Sequence, residues 1–228
     1  DSQASSASGL GQALHLLLAR WIADPTVLDD PAILPLALLE TGVAPSAEAI
    51  DHLTALVAAY IAHDLLASQT RSAHRCFAEL PLSWWLTMPG STNDSRIYLQ
   101  GKPDLLLETT PGHWTIVDYK THSPRSDRPT LTAEIQLQLT GYALGVAQWQ
   151  RTPITQVQCL ILARNEEGEI EATPSPLTTD TFEAALAAFV RAHRAETAGQ
   201  EPVYVVNESC RQCDYRDICP ELKRSQNH

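Results

Sequence analysis

The tripeptide Thr110-Pro111-Gly112 separates two runs of strand chemistry, residues 97–108 and 114–119, and nothing else in the chain restricts its fold as much. A turn of that composition reverses the chain and sets the two runs antiparallel. The second run, Trp114 to Tyr119, is β-branched and aromatic, which suits a strand inside a sheet. With 228 residues, 44% of them hydrophobic and only 19% charged, the chain builds a folded core of one substantial domain or two small ones.

The flanks supply the helices. Residues 9–23 carry Leu10, Leu14, Leu17, Leu18 and Trp21 at helical spacing and read as an amphipathic helix ending before Pro25. Residues 25–45 are broken by prolines, with a short apolar helix expected at 34–40. Residues 46–68 read as one helix, with Ser46 as its N-cap and Glu48 in its first turn. Residues 75–86 change to strand chemistry and 91–94 form a turn. After the hairpin come a helix at 131–148, an apolar strand at 154–163, a turn at 165–168, a return strand at 169–172 and a helix at 179–198. Helices, then a hairpin-rich sheet, then helix–strand–helix predict one α/β domain over 1–228, with a mixed central sheet flanked by helices.

The chemistry gathers on the hairpin. Period-two alternation puts Asp118 and Lys120 on one face of the second strand and Tyr119 on the other. Asp104 lies on the antiparallel partner, so the two carboxylates are expected to converge near one edge of the sheet. Two hard oxygen donors suit Mg²⁺ or Mn²⁺, which keep several waters and take phosphate oxygens. A lysine beside them orients the attacking water or stabilises charge on a phosphate.

Pro103-Asp104 followed by Asp118-Tyr119-Lys120 reproduces a PD…DxK pattern and resembles the PD-(D/E)XK nucleases. The run Val117-Asp118-Tyr119-Lys120-Thr121 is similar to the RecB-type branch, the AddA- and AddB-like exonuclease modules of helicase–nucleases. That branch carries G-x-x-x-H on an N-terminal helix, matched by Gly11 to His15. It also has a glutamate before the PD hairpin, matched by Glu79, and a Q-x-x-x-Y helix motif, matched by Gln138 to Tyr142. The i, i+4 spacing puts Gln138 and Tyr142 on one helix face.

The resemblance implies a restriction-endonuclease-like core and Mg²⁺-dependent hydrolysis of DNA phosphodiester bonds. It implies metal ligation by Asp104, Asp118, His15 and the backbone carbonyl of Tyr119. Catalytic-site roles are implied for Asp104, Asp118, Lys120, Glu79, Gln138 and Tyr142. It further implies exonuclease action on single strands or unwound ends in DNA end processing, recombination or repair. No G-x-x-x-x-G-K-[ST] loop is present, so any motor belongs to a helicase domain or subunit elsewhere.

Near the end, Cys210, Cys213 and Cys219 form C-x2-C-x5-C within residues 207–220. Clustered thiolates at that spacing wrap a soft-metal centre, Zn²⁺ or an iron–sulfur cluster, and point to a reducing, cytoplasmic compartment. The trio resembles that of the iron–sulfur (4Fe–4S) nucleases related to AddB, whose fourth cysteine lies far upstream. Here no cysteine precedes His15, so either the fourth ligand lies before the given start, or Cys76 takes its place, or the site is degenerate. Cys159, inside an apolar strand, reads as core. The start Asp1-Ser2-Gln3 reads as a trimmed end or the edge of a longer polypeptide, without a secretory signal.

Charge argues the other way. A net charge of −11 is unlike a surface built for nonspecific DNA binding. It is unevenly spread, however: residues 71–128 hold seven Lys/Arg against six Asp/Glu, and the rest carries −12. Two other readings stay open, a noncatalytic DNA-binding or scaffolding domain of the same fold and a zinc-stabilised interaction module.

Overall fold

A computed structural model describes residues 2–87, 96–121, 129–165 and 167–197. The turn expected at 91–94 and the cysteine trio lie outside these described residues.

Three helices lead: α1 (Ser2–Ala23), α2 (Ile33–Glu40) and α3 (Ala47–Ala62). The stripe expected on α1 is buried at Leu14, Leu17, Leu18 and Trp21. Ser46 caps α3, its hydroxyl accepting the Ala49 N–H. The single helix expected over 46–68 does not run through. At His63 the backbone turns extended and the ring Nδ1 accepts the Leu65 N–H at 3.3 Å. The chain resumes as a π-helical turn, Leu65–Gln69, leading into α4 (Thr70–Ser72), bent 65° from α3. The break turns Leu65 and Leu66 into the core. Helical periodicity in the sequence is silent about such a bend, because both arms keep it.

Each of the first two expected strands is divided. Residues 75–86 become β1 (Arg75–Ala78) and β2 (Leu82–Thr87), and residues 97–108 become β3 (Arg96–Gly101) and β4 (Leu105–Thr110). β1 pairs with β4 through Ala78↔Leu105, and β2 pairs with β3 through Leu82↔Gly101. The register is the same on both sides, so this is one long antiparallel ribbon interrupted at residues 79–81 and 102–104. The residues explain the interruption. Glu79 takes a left-handed φ of 54°, and Pro81 and Pro103 lack the N–H that a ladder needs. A single backbone bond, Glu79 N–H to the Asp104 carbonyl at 3.0 Å, spans the gap.

The turn at Pro111-Gly112, with Gly112 at φ 82°, carries β4 into β5 (His113–Lys120). α5 (Pro129–Gln150) then crosses to β6 (Val157–Arg164), which lies parallel to β5, and β7 (Ile170–Ser175) returns antiparallel before α6 (Thr179–Thr197). The sheet order is β1-β4-β5-β6-β7, a mixed five-stranded sheet as expected, with β2-β3 as a separate pair. One face, through Leu105, Leu107, Val117, Tyr119 and Leu162, packs on the N-terminal helices. The other, through Leu106, Ile116 and Ile161, packs on α5 at Ile135, Leu139 and Val146. Among the described residues no single helix is long and apolar enough to cross a membrane.

Candidate functional site

The interruption in the ribbon sets the site. Freed from the ladder just before β4, Asp104 turns its carboxylate back onto β5, where Oδ2 accepts the Tyr119 N–H at 2.7 Å. Its Oδ1 lies 3.1 Å from His15 Nδ1 on α1, and His15 Nε2 donates to the Tyr119 carbonyl at 3.1 Å. A carboxylate and a carbonyl only accept, so this geometry favours the doubly protonated ring. Burial works against charging His15, but the hydrogen bond to Asp104 and the charges of Asp104 and Asp118 outweigh it and raise its pKa. The ring also stands edge-on to Tyr119, with centroids 5.6 Å apart.

Glu79, on the other strand of the interrupted ribbon, completes a cluster. One ligand atom each from His15, Glu79 and Asp104 lies within 4.8 Å of the others. The three line a cleft of about 670 Å³ together with Gln12 and Lys102. Lys102 forms an ion pair with Glu79, which holds the ammonium pKa up. Two carboxylates and an imidazole beside a backbone carbonyl fit a divalent cation such as Mg²⁺ or Mn²⁺. Taking a ring nitrogen as ligand would release its proton.

Asp118 and Lys120 form the adjoining half. Asp118 is 3% exposed at the C-terminal end of β5, and Lys120 Nζ lies 2.7 Å from its Oδ2. Burial pushes the Asp118 carboxyl pKa up, Lys120 opposes this, and the Asp104 charge adds to it. Asp118 stands beside the cluster of His15, Glu79 and Asp104, outside the three residues whose ligand atoms lie within 4.8 Å of one another. A buried carboxylate takes the nearest cation, and here that is Lys120. The site also lies at the ends of the central strands β4 and β5, not on a lateral edge of the sheet, because β1 continues the sheet beyond β4.

Gln138 and Tyr142 share a face of α5, with Gln138 Nε2 donating to the Tyr142 hydroxyl at 2.9 Å. The Tyr142 ring lies where a side chain at Gly101 would go, beside the end of β3. Cys76 is half-buried on β1, opposite Leu107, and burial raises its thiol pKa. Cys159 is core, as expected.

Two residues at the site carry no motif. Lys102 was adjacent to Pro103-Asp104 and visible only by that adjacency. Tyr60, in the buried stripe of α3, donates its hydroxyl to the Lys120 carbonyl at 2.6 Å, a role its apolar spacing hides.

A family model described as the PD-(D/E)XK nuclease superfamily matches residues 1–220. No curated protein matches the chain. A solved structure titled "Crystal structure of SSO0001" is similar at 13% identity, covering 95% of this chain and 85% of that one, with a TM-score of 0.46.

Proposed function

Because the chain belongs to the PD-(D/E)XK nuclease superfamily, we propose that it is a metal-dependent deoxyribonuclease of the RecB type. The observation that carries this reading is the meeting of His15, Glu79 and Asp104 within 4.8 Å, beside the buried Asp118 and its partner Lys120.

The reaction is hydrolysis. Water adds to phosphorus, the bond from phosphorus to the leaving sugar oxygen breaks, and that oxygen ends protonated. A bound Mg²⁺ or Mn²⁺ would polarise the phosphodiester and make a coordinated water more acidic. Asp104, Glu79 and His15 would hold it, with Asp118 and the Tyr119 carbonyl next to them. The chain's own residues do the rest. The Tyr119 N–H fixes one oxygen of Asp104, so the other faces His15. Lys120 favours the ionised form of Asp118 against its burial and, beside the scissile phosphate, orients water and offsets negative charge. Lys102 supplies a second cation at the mouth, and Gln138 contacts the nucleic-acid backbone.

The finer reading follows from the motif set Gly11-x-x-x-His15, Glu79, Pro103-Asp104, Asp118-x-Lys120 and Gln138-x-x-x-Tyr142. It is exonuclease action on single strands or unwound ends in DNA repair or recombination, by one domain working with a helicase domain or subunit. Cys210, Cys213 and Cys219 hold a 4Fe–4S cluster or Zn²⁺, with Cys76 as a candidate fourth ligand. Iron content and visible absorption of an anaerobic preparation separate the two.

The test is Mg²⁺-dependent digestion of labelled DNA by the wild type, Asp104→Ala, Asp118→Ala and Lys120→Ala. Each variant should lose at least about 100-fold in rate, the scale of a positioned acid–base or charge-stabilising group. Equal activity in all four would defeat the proposal.

A further inference from the structure

Among the described residues, the β2–β3 pair is anchored from one side only. Leu82 and Trp84 are buried in the core formed with α5, and Trp84 packs so closely on Gly145 that a Cβ there would lie 2.8 Å from its ring. The opposite face carries Ser83, Trp85 and Thr87 on β2 and Arg96, Tyr98 and Gln100 on β3, all exposed. Trp85 and Tyr98 are directly opposed across the strands, their ring centroids 5.0 Å apart, and are 52% and 47% exposed.

Trp84 next door already secures the hairpin on α5, and the exposed pair adds only the modest stabilisation of one cross-strand contact. The pair is nonetheless held in place. Gln148 of α5 donates to the Trp85 carbonyl at 2.9 Å and accepts the Trp85 N–H at 3.1 Å, while Gln100 donates to the Tyr98 hydroxyl at 3.2 Å. The six outward residues include Arg96 and no carboxylate, in a chain of net charge −11. From Tyr98 the chain passes through the end of β3 at Gly101 to Lys102 and Asp104 in the interruption. Six residues span at most about 21 Å, so the pair and the cleft lie within one short oligonucleotide's reach.

We propose that this face is a base-stacking platform that holds single-stranded nucleic acid and feeds it to the cleft, an inference resting on the nuclease reading. An exposed ring pair takes the π-faces of bases, as single-strand-binding surfaces do. A duplex keeps those faces stacked inside and cannot offer them. Hydrogen-bonding neighbours and the single cation Arg96 on the same face suit a phosphate backbone. Stacking adds attraction to the bases that does not depend on net charge, and Arg96 supplies one cation on this face.

The experiment measures binding of a fluorescein-labelled oligothymidylate of about 20 nucleotides in EDTA by anisotropy, alongside its cleavage in Mg²⁺ by the wild type. Trp85→Ala/Tyr98→Ala should weaken Kd at least about tenfold, while Trp85→Phe/Tyr98→Phe stays within about threefold because the rings remain. Quenching of tryptophan fluorescence on binding should shrink in Trp85→Phe, a second readout that does not depend on the alanine variant folding. A wild type that cleaves while the double-alanine variant binds equally well overturns the platform alone. A wild type that binds through the pair yet cleaves nothing overturns the nuclease reading and sustains the platform. A wild-type dimer dissolved by Trp85→Ala, seen by light scattering, makes the face an interface between copies and overturns the proposal.

Discussion

Tyr60 donates its hydroxyl to the Lys120 carbonyl at 2.6 Å, and the same hydroxyl lies 3.3 Å from the Leu162 carbonyl, so one side chain ties the ends of β5 and β6 to α3. Its ring stands edge-on to Tyr119 at 6.0 Å, one step from the His15 contact. Tyr60→Phe keeps the ring and removes the tie. It should cost about 0.5–1.5 kcal/mol in urea unfolding, and lower kcat severalfold with KM unchanged, since Lys120 loses its backbone anchor. A second titratable residue sits far from the cleft. Glu108 is buried in β4, where Arg75, the Gly112 N–H and His74 hold its carboxyl down to about 2 against its burial. Its pKa in the unfolded chain is about 4.3. The depressed value means that its contribution to stability is fully present above about 4.3 and is lost as pH falls through about 2. Glu108→Gln should therefore unfold earlier at neutral pH and show a flatter loss of stability across that window, read from urea midpoints at stepped pH.

The element that makes the site is the break in the ribbon, where β1 gives way to β2 and β4 to β3. Ladder residues present side chains only above or below the sheet, whereas Glu79 and Asp104, outside the ladder, reach its end. Alternation in the sequence marks residues 75–86 and 97–108 as strand-like but is silent on which half joins which sheet. Pro81, Gly101 and Pro103 were visible signals of the break, and the left-handed φ at Glu79 was not, because any residue type can be forced there by its surroundings. Gly101 matters for a different reason: the Tyr142 ring occupies the space of its missing side chain. Gly101→Ala should destabilise by about 1–3 kcal/mol through overpacking. In a double-mutant cycle with Tyr142→Ala, the second substitution should recover about 0.5–3 kcal/mol of that loss. Thermal melts of the four proteins check it, and additive losses would mean that the two residues do not share this contact.

Across the whole molecule, a net charge of −11 coexists with a cleft in which two carboxylates and an imidazole face one another. Such a cleft should gain stability from a divalent cation. At a concentration about 100 times Kd the gain is about 2.7 kcal/mol, so Mg²⁺ or Mn²⁺ should raise Tm in the wild type, EDTA should reverse it, and Asp104→Ala should abolish it. Scanning fluorimetry measures all three. The helical stripes, the hairpin turn at Gly112, the mixed sheet between helices and the two halves of the PD…DxK pattern could all be read from residue order, because periodicity, turn chemistry and motif spacing are local properties of a chain. The bend at His63, the division of two strands between two sheets, and the tie from Tyr60 to the Lys120 carbonyl could not. These depend on which surfaces meet: His15 reaches Asp104 across 89 positions and the Tyr119 carbonyl across 104, and Tyr60 reaches Lys120 across 60. Packing of α1 and α3 onto one face of the sheet brings those groups together, and no spacing along the chain encodes a distance set by two layers closing on each other.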